Sequence, residues 1–185
     1  ILEYTKEKMA DEKKAIQFVQ DEISSVFQIP FHYSVKLDFE GMEKVIDELG
    51  GIDVFVDEPI DDPFYPNERY GYQTFRLNAG NQHLDGATTL KYVRSRKTSS
   101  DFDRAKRQQQ AIAALKEKLL SLKFLEDFDQ AKKFYDGISG LVETNIGFLE
   151  ALQYLQAFQN YTVMHGGVLS TANYLYSTTS VSGQY

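Results

Sequence analysis

The sequence contains no cysteine and no tryptophan among its 185 residues. Without cysteine the chain can form no disulfide, no thiolate metal site and no cysteine nucleophile. The absence does not decide the redox compartment, because a secreted bacterial domain can lack cysteine as readily as a cytosolic one. No run approaches the roughly 18 apolar residues that cross a bilayer, and no signal-peptide pattern starts at Ile1. We therefore expect any anchor or targeting segment to lie upstream of Ile1.

Common catalytic and phosphate-binding motifs are also missing. The sequence has no GxxxxGK[ST], no GxGxxG and no GxSxG, so the usual nucleotide-binding and serine-hydrolase classes lack support. His32, His83 and His165 are far apart and have no metal-ligand spacing, which favours structural or surface roles. With 42% hydrophobic residues, 13 Phe and 12 Tyr, the chain can bury a core. We expect one globular domain over residues 1–185.

Positive charge is concentrated in one short segment of an acidic chain. The formal net charge is −7, yet residues 91–107 hold seven Lys and Arg against two Asp and Glu. In residues 1–90 the acidic side chains outnumber the basic ones by 18 to 8. A nucleic-acid-binding protein usually presents a broad basic face, so we expect no nucleic-acid partner. A single basic focus instead favours a compact anion such as a phosphate or pyrophosphate.

Hydrophobic periodicity in the first third of the chain indicates alternating helices and strands. Apolar residues three or four apart predict an amphipathic helix over Glu12–Phe27 that packs on a sheet. "YSVKLDF" alternates like a strand, "EGMEKVIDELGG" predicts a helix that stops at Gly50 and Gly51, and "IDVFV" predicts the next strand. Strand, helix and strand in this order predict a crossover unit of an α/β fold.

Residues 57–75 combine prolines, acids and aromatics without a clear period, which predicts a surface loop. Its acids could bind a cation, but a charged loop is usually solvated; they are Asp57, Glu58, Asp61 and Asp62. A short strand near Thr74–Leu77 and a glycine turn follow it. Asp85 can then cap a helix from Gly86 to about Tyr92.

The second half of the sequence predicts mainly helices. Ser100 and Asp103 have the spacing of a capping box, which opens a helix that runs to about Ser121. Two further helices are expected near 127–141 and 147–159, followed by a strand in "YTVMHGGVL" and a frayed polar end over 170–185. The residues expected to face inward on the first and third of these helices are Ala105, Ile112, Leu115, Leu119, Leu120, Phe148, Leu149, Leu152, Leu155 and Phe158.

Four arginines converge on the start of the helix after Ser100. At about 100° per residue, Arg104, Arg107 and Gln108 share one narrow helical face. The unpaired N–H groups and the dipole of a helix start also favour phosphate oxygens. Arg94 and Arg96 arrive from the loop just before it, and guanidinium groups bind phosphate oxygens two at a time. The pattern predicts a pyrophosphate site, and the alternative is a solvated helix face with ordinary ion pairs.

Two acids lie within this basic segment. Asp101 or Asp103 can cap the helix or orient an arginine, which is the more frequent role of such residues. One of them could instead hold a divalent cation or accept a proton from an attacking hydroxyl. Spacing alone leaves these alternatives open.

The motifs "LDFEGMEKVIDELGGIDVFVDEP", "LNAGNQHLDGATTLKYVRSR" and "DFDRAKRQQQAI" resemble, in order, those of the LytR-CpsA-Psr family of bacterial envelope proteins. The resemblance extends from about Lys14 to Leu120, and its most specific part is an RxR followed by DFxRxxRQ. It implies an α/β fold with a mixed central β-sheet sandwiched between helices. The family's N-terminal strands, with a further arginine-aspartate motif, have no counterpart after Ile1, so we expect a truncated domain.

The resemblance also implies a function. Members are phosphotransferases that move a glycopolymer, such as teichoic acid or capsule, from a polyprenyl pyrophosphate carrier to peptidoglycan. They are anchored at the outer face of the cytoplasmic membrane, and Mg²⁺ usually assists, with ligands expected in the missing N-terminal part. By motif, the pyrophosphate-binding residues are Arg94, Arg96, Arg104, Arg107 and Gln108, and the catalytic residues are Asp101 and Arg104. The alternative is a non-catalytic or regulatory module that binds the same lipid-linked pyrophosphate.

Overall fold

The computed structural model describes residues 12–67, 71–96 and 101–159. This part of the chain contains six helices and six strands. In chain order they are α1 (Glu12–Phe27), β1 (Val35–Leu37), α2 (Phe39–Glu48), β2 (Ile52–Val56), β3 (Ile60–Pro66), β4 (Tyr72–Leu77), β5 (Gly80–Leu84), α3 (Gly86–Arg94), α4 (Asp101–Ser121), α5 (Phe128–Ile138), β6 (Val142–Thr144) and α6 (Phe148–Gln159).

The described strands form three antiparallel pairs: β2 with β5, β3 with β4, and β1 with β6. The α/β class is as predicted, but these strands form small separate sheets instead of one mixed sheet. The predicted crossover unit is wrong within the described residues, because β1 and β2 belong to different pairs. Two of the pairs join strands that are far apart along the chain: Ile52 lies opposite Leu84, and Val35 lies opposite Thr144.

The main core lies where α2, α3 and α4 meet β2 and its neighbouring strands. The predicted stripe of α2 is buried at Val45, Ile46 and Leu49. The helix then stops before Gly50 and Gly51, whose φ angles of 75° and 83° favour glycine. The buried cluster comprises Ile46, Ile52, Val54, Val56, Ile60, Tyr65, Phe75, Leu84, Tyr92, Val93 and Ala111.

A β-hairpin, β3–β4, replaces most of the surface loop predicted for residues 57–75. The prolines that argued against a strand are accommodated by irregular pairing, since the register shifts between Asp62 and Tyr65, with Pro63 inside the shift. Ile60, Asp62 and Tyr65 are buried on the hairpin. The hairpin therefore brings an acidic side chain, Asp62, into the interior.

Several predicted apolar faces remain exposed outside the main core. β1 was expected to bury its apolar side, but Val35 is 62% exposed because, among the described residues, its strand pairs only with the short β6. On α4, Ile112 is 68% exposed, since the buried face is centred on Arg107 and Ala111. Val26 of α1 and Leu149 of α6 are also exposed. Burial of these faces is therefore not as predicted.

The predicted helices α1 to α6 are present close to their expected bounds. Strands β5 and β6 were not predicted, because each is short and lacks a clear alternation of apolar residues. The strand expected in "YTVMHGGVL" and the polar end over 170–185 lie outside the described residues, as do Ser100 and His165. None of the described helices is both long and apolar enough to cross a membrane.

Candidate functional site

Helix α3 carries the first two predicted site arginines to the edge of the core. Asp85 caps its start, accepting a hydrogen bond from the Thr88 backbone N–H at 2.7 Å. These hydrogen bonds from Thr88 lower the pKa of the Asp85 carboxyl. At Gly86 any Cβ would lie 2.1 Å from the Glu43 carbonyl oxygen of α2, so only glycine permits this close helix contact. The helix runs to Arg94, two residues beyond the predicted end.

Arg94 lies in an aromatic cradle, a term used here for Phe39 and Tyr65. Its guanidinium carbon is 4.1 Å from the centre of the Phe39 ring and 5.8 Å from that of Tyr65. Cations are attracted to aromatic faces at such distances. Burial raises the pKa of the Tyr65 hydroxyl, although the charge of Arg94 opposes that shift. The cradle holds Arg94 without neutralising its charge.

Asp101, at the start of α4, draws two other predicted arginines together. Its Oδ1 is 2.9 Å from Nη1 of Arg104 and accepts a hydrogen bond from Nη2 of Arg96 at 3.3 Å. The Arg104 side chain is 29% exposed and that of Arg96 is 69% exposed. Asp101 therefore pairs with both arginines, which fits the arginine-orienting role among those that the sequence left open.

Arg107 does not share the open face of Arg104 as predicted, because its side chain turns inward and is 8% exposed. Its Nε donates to the Tyr92 carbonyl at 2.9 Å, and its Nη2 donates to the Ser95 carbonyl. Burial is the main cause of its lowered pKa, and the nearby charge of Arg104 acts in the same direction. Gln108 remains exposed, with a long 3.5 Å contact from its Nε2 to the Val93 carbonyl.

Asp62 is the residue near the cluster that sequence reasoning placed wrongly. It was grouped with solvated loop acids, but it is 3% exposed and accepts a hydrogen bond from the Ser95 hydroxyl at 2.7 Å. Ile60 and Asp62 alternate with exposed Asp61, so a strand pattern was present there. The prolines at 63 and 66 concealed it. Asp61, the neighbouring acid of that segment, is exposed instead and pairs with Arg76 at 3.2 Å.

A cleft of about 160 Å³ is lined in part by Arg107. Its walls include Tyr92, Asp103, Lys106 and Gln110, together with the turn between β2 and β3. Burial raises the pKa of Tyr92 to about 12, and its hydroxyl donates to Oε1 of Gln110 at 2.7 Å. Of the predicted site residues, Arg107 alone lines this cleft. The cleft carries charge of both signs, so it does not favour an anion as the arginines do.

Magnesium was the one metal expected. Among the described residues, no three Asp, Glu or His side chains converge as a metal-binding group. Asp101 is engaged by two arginines, which disfavour a cation beside it. His83 pairs with Asp53 at 2.7 Å on the exposed face of the β2–β5 pair. The described residues therefore offer no cluster of three such ligands for Mg²⁺.

Comparison with known proteins places the chain in a family. The model of the LytR_cpsA_psr family matches residues 5–178, so the chain belongs to that family. A curated relative, the polyisoprenyl-teichoic acid–peptidoglycan teichoic acid transferase TagV of Bacillus subtilis (strain 168), is 33% identical over 142 residues. That match covers 76% of this chain and 35% of TagV. The transferase TagT of the same organism is 33% identical over 100 residues, covering 54% of this chain and 30% of TagT.

Solved structures agree with the family assignment. The crystal structure of B. subtilis TagV matches with a TM-score of 0.63 at 31% identity, covering 76% of this chain and 51% of that one. The structure of TagT bound to LI-WTA matches with a TM-score of 0.56 at 21% identity, covering 84% and 53% of the two chains. The predicted family fold is confirmed. The chain spans about a third of the length of both curated relatives.

Proposed function

We propose that this chain contributes the pyrophosphate-binding part of a phosphotransferase that moves a glycopolymer from a polyprenyl pyrophosphate carrier to peptidoglycan. The observation that carries the proposal is the meeting of Arg96 and Arg104 at Asp101, with Arg94 close by at the end of helix α3. Guanidinium groups at a helix start suit a doubly charged phosphate group. The transferase names of TagV and TagT support the same class of substrate and acceptor.

In the proposed reaction, a peptidoglycan hydroxyl attacks the phosphorus that carries the glycan. The bond from this phosphorus to the bridging oxygen breaks, polyprenyl phosphate leaves with that oxygen, and the hydroxyl proton passes to a base. Negative charge grows on the leaving phosphate, so arginines already in place lower the barrier through positioning and electrostatics. Asp101, predicted as catalytic, acts here by orienting Arg96 and Arg104. Gln108, exposed one turn beyond Arg104, remains a proposed ligand of the phosphate oxygens.

Two further parts of the proposal come from the family resemblance. We place the protein at the outer face of the cytoplasmic membrane. Digestion of the protein by a protease added to intact protoplasts would test this location. Mg²⁺ is proposed as an assisting ion, and its ligands are not found among the described residues. Loss of transfer in EDTA and recovery with added Mg²⁺ would support this ion. Transfer that is indifferent to EDTA would remove it.

The test of function is release of polyprenyl phosphate from a short lipid-linked glycan in the presence of peptidoglycan. We expect Arg104→Ala to reduce release by about 100-fold or more, the size of effect seen when a charge-stabilising group is lost. Its fold should persist, because the Arg104 ion pair is partly exposed.

Lys106→Ala is the matched control, since it removes one positive charge from the same helix but leaves Asp101 untouched. Near-normal release by Arg104→Ala, or an equal loss in the Lys106 variant, would defeat the assignment. Binding without any release by the wild type would support the non-catalytic alternative.

A further inference from the structure

Asp62 brings a buried carboxylate to the segment that carries Arg94 and Arg96. Each of its oxygens is used: Oδ1 accepts from the Phe64 backbone N–H at 3.1 Å, and Oδ2 accepts from the Ser95 hydroxyl at 2.7 Å. The Arg96 backbone N–H also donates to Oδ2, at 3.3 Å. A buried carboxylate is costly unless donors surround it in this way. These contacts join the β3–β4 hairpin to the end of α3.

Arg107 holds the same segment from the side of α4. Its donation to the carbonyls of Tyr92 and Ser95 satisfies oxygen atoms that the end of α3 leaves without helical partners. Asp62 is near enough for its charge to act on the Arg107 guanidinium. Within residues 12–67, 71–96 and 101–159, Asp62 and Arg107 are the two charged residues that are buried.

Ser95 is the residue common to both sets of contacts. It is 1% exposed, its hydroxyl donates to Asp62, and its carbonyl accepts from Arg107. The two residues that flank it, Arg94 and Arg96, are predicted to bind the anion. Contacts that hold Ser95 from two sides therefore also hold the backbone of Arg94 and Arg96, from which the two arginine side chains extend.

We propose that Asp62, Ser95 and Arg107 form a buried lock that positions Arg94 and Arg96, and that Arg107 acts through this lock instead of touching the pyrophosphate. Asp62 is thus a positioning residue supplied by the β3–β4 hairpin. The inference rests on the proposed function for the identity of the anion. The lock itself is defined by the contacts of Ser95 and can be measured without a ligand.

The first test is Asp62→Asn, with titration of a soluble short-chain polyprenyl pyrophosphate into the 185-residue chain. Asp62 accepts from donors only, and an amide has one oxygen, so the NH₂ group of Asn would face either the Phe64 N–H or the Arg96 N–H together with the Ser95 hydroxyl. We expect affinity to fall by about tenfold, because ligand groups lose their preorganised geometry. Asp61→Asn, at the neighbouring exposed position, should bind like the wild type.

Ser95→Ala provides a smaller change in case Asp62→Asn fails to fold, and it should weaken binding in the same direction. Arg107→Lys separates the two roles of Arg107, since lysine keeps the charge but cannot bridge two carbonyls. The lock predicts a loss of affinity in Arg107→Lys close to that of Ser95→Ala. Unchanged affinity in folded Ser95→Ala and Asp62→Asn would overturn the proposal.

Amide hydrogen exchange at Arg96 gives the readout that needs no ligand. Its N–H donates to Asp62, so exchange there should accelerate in Asp62→Asn while amides of α5 keep their rates. If the wild type binds no polyprenyl pyrophosphate, the proposed function fails, and the exchange rate alone then decides whether the lock exists. Asp62→Ala removes both oxygens, so unchanged exchange at Arg96 in both Asp62→Asn and Asp62→Ala would show that there is no lock.

Discussion

Arg94 shows how much the surroundings of one residue decide its usefulness as a ligand. Many surface arginines are paired with acids, whereas the described contacts of Arg94 are with the rings of Phe39 and Tyr65. An aromatic face orders the guanidinium group and leaves its positive charge available to an anion. Arg104 differs, because it shares the Asp101 carboxylate with Arg96. The cluster therefore orients its guanidinium groups in two ways, by aromatic rings and by a shared acid.

The cradle can be tested with Phe39→Leu. Phe39 is 57% exposed, so its loss should change the free energy of unfolding little, but it frees the Arg94 side chain. We expect binding of the soluble polyprenyl pyrophosphate to weaken about two- to fivefold, the equivalent of one exposed cation–π contact. Phe55→Leu is the control, because Phe55 is 59% exposed on β2. Equal effects of the two variants on affinity would argue against the cradle.

At this scale the sequence identified the arginines but not their separate roles. Arg104 and Arg107 lie three positions apart on α4, and a helical wheel places them on one face. The structure exposes one partly and buries the other, because the end of α3 offers carbonyls to Arg107. That end is held by Asp62, from a hairpin whose pairing the sequence pattern did not reveal.

Helix α3 is the element on which the site depends most. It is capped by Asp85, packed on α2 through Gly86, and held at its end by Arg107. Helices such as this one were predicted well, because their caps and apolar spacing are local features. Strand pairing was predicted poorly, because β1 and β2 pair with β6 and β5, from which other strands and helices separate them along the sequence.

Asp85→Ala tests the contribution of the cap. We expect it to lower the free energy of unfolding by about 1 kcal/mol at neutral pH, as loss of an N-cap commonly does. The pKa of Asp85 is lowered in the fold by its hydrogen bonds from Thr88. This stabilisation is therefore present above the carboxyl's unfolded pKa and is lost as the pH falls through its folded value.

The difference between Asp85→Ala and the wild type should accordingly shrink in acid, as measured by urea unfolding at a series of pH values. Asp127→Ala removes the matching cap of α5, whose side chain accepts from the Gln130 N–H at 2.9 Å. It should cost a similar amount at neutral pH without weakening pyrophosphate binding. A difference for Asp85→Ala that is constant down to acid pH would contradict the assigned role of its charge.

For the whole molecule, the charge distribution is the feature that connects sequence and function. A chain of net charge −7 places four of its six arginines at the junction of α3 and α4, where one shared acid and one buried acid contact this segment. The family and its fold were predictable from ordered motifs in the sequence. The paired strands and the exposed apolar faces were not, since both depend on contacts between distant parts of the chain.

The most direct test of the central claim is calorimetric titration of a soluble polyprenyl pyrophosphate into the wild-type chain, Arg94→Ala and Arg104→Ala, with folding of both variants checked first. The account predicts binding by the wild type and loss of about tenfold or more in each variant, since each removes a charge-assisted contact. Wild-type affinity in both folded variants, or no binding by the wild type, would contradict the claim that this arginine cluster binds the carrier.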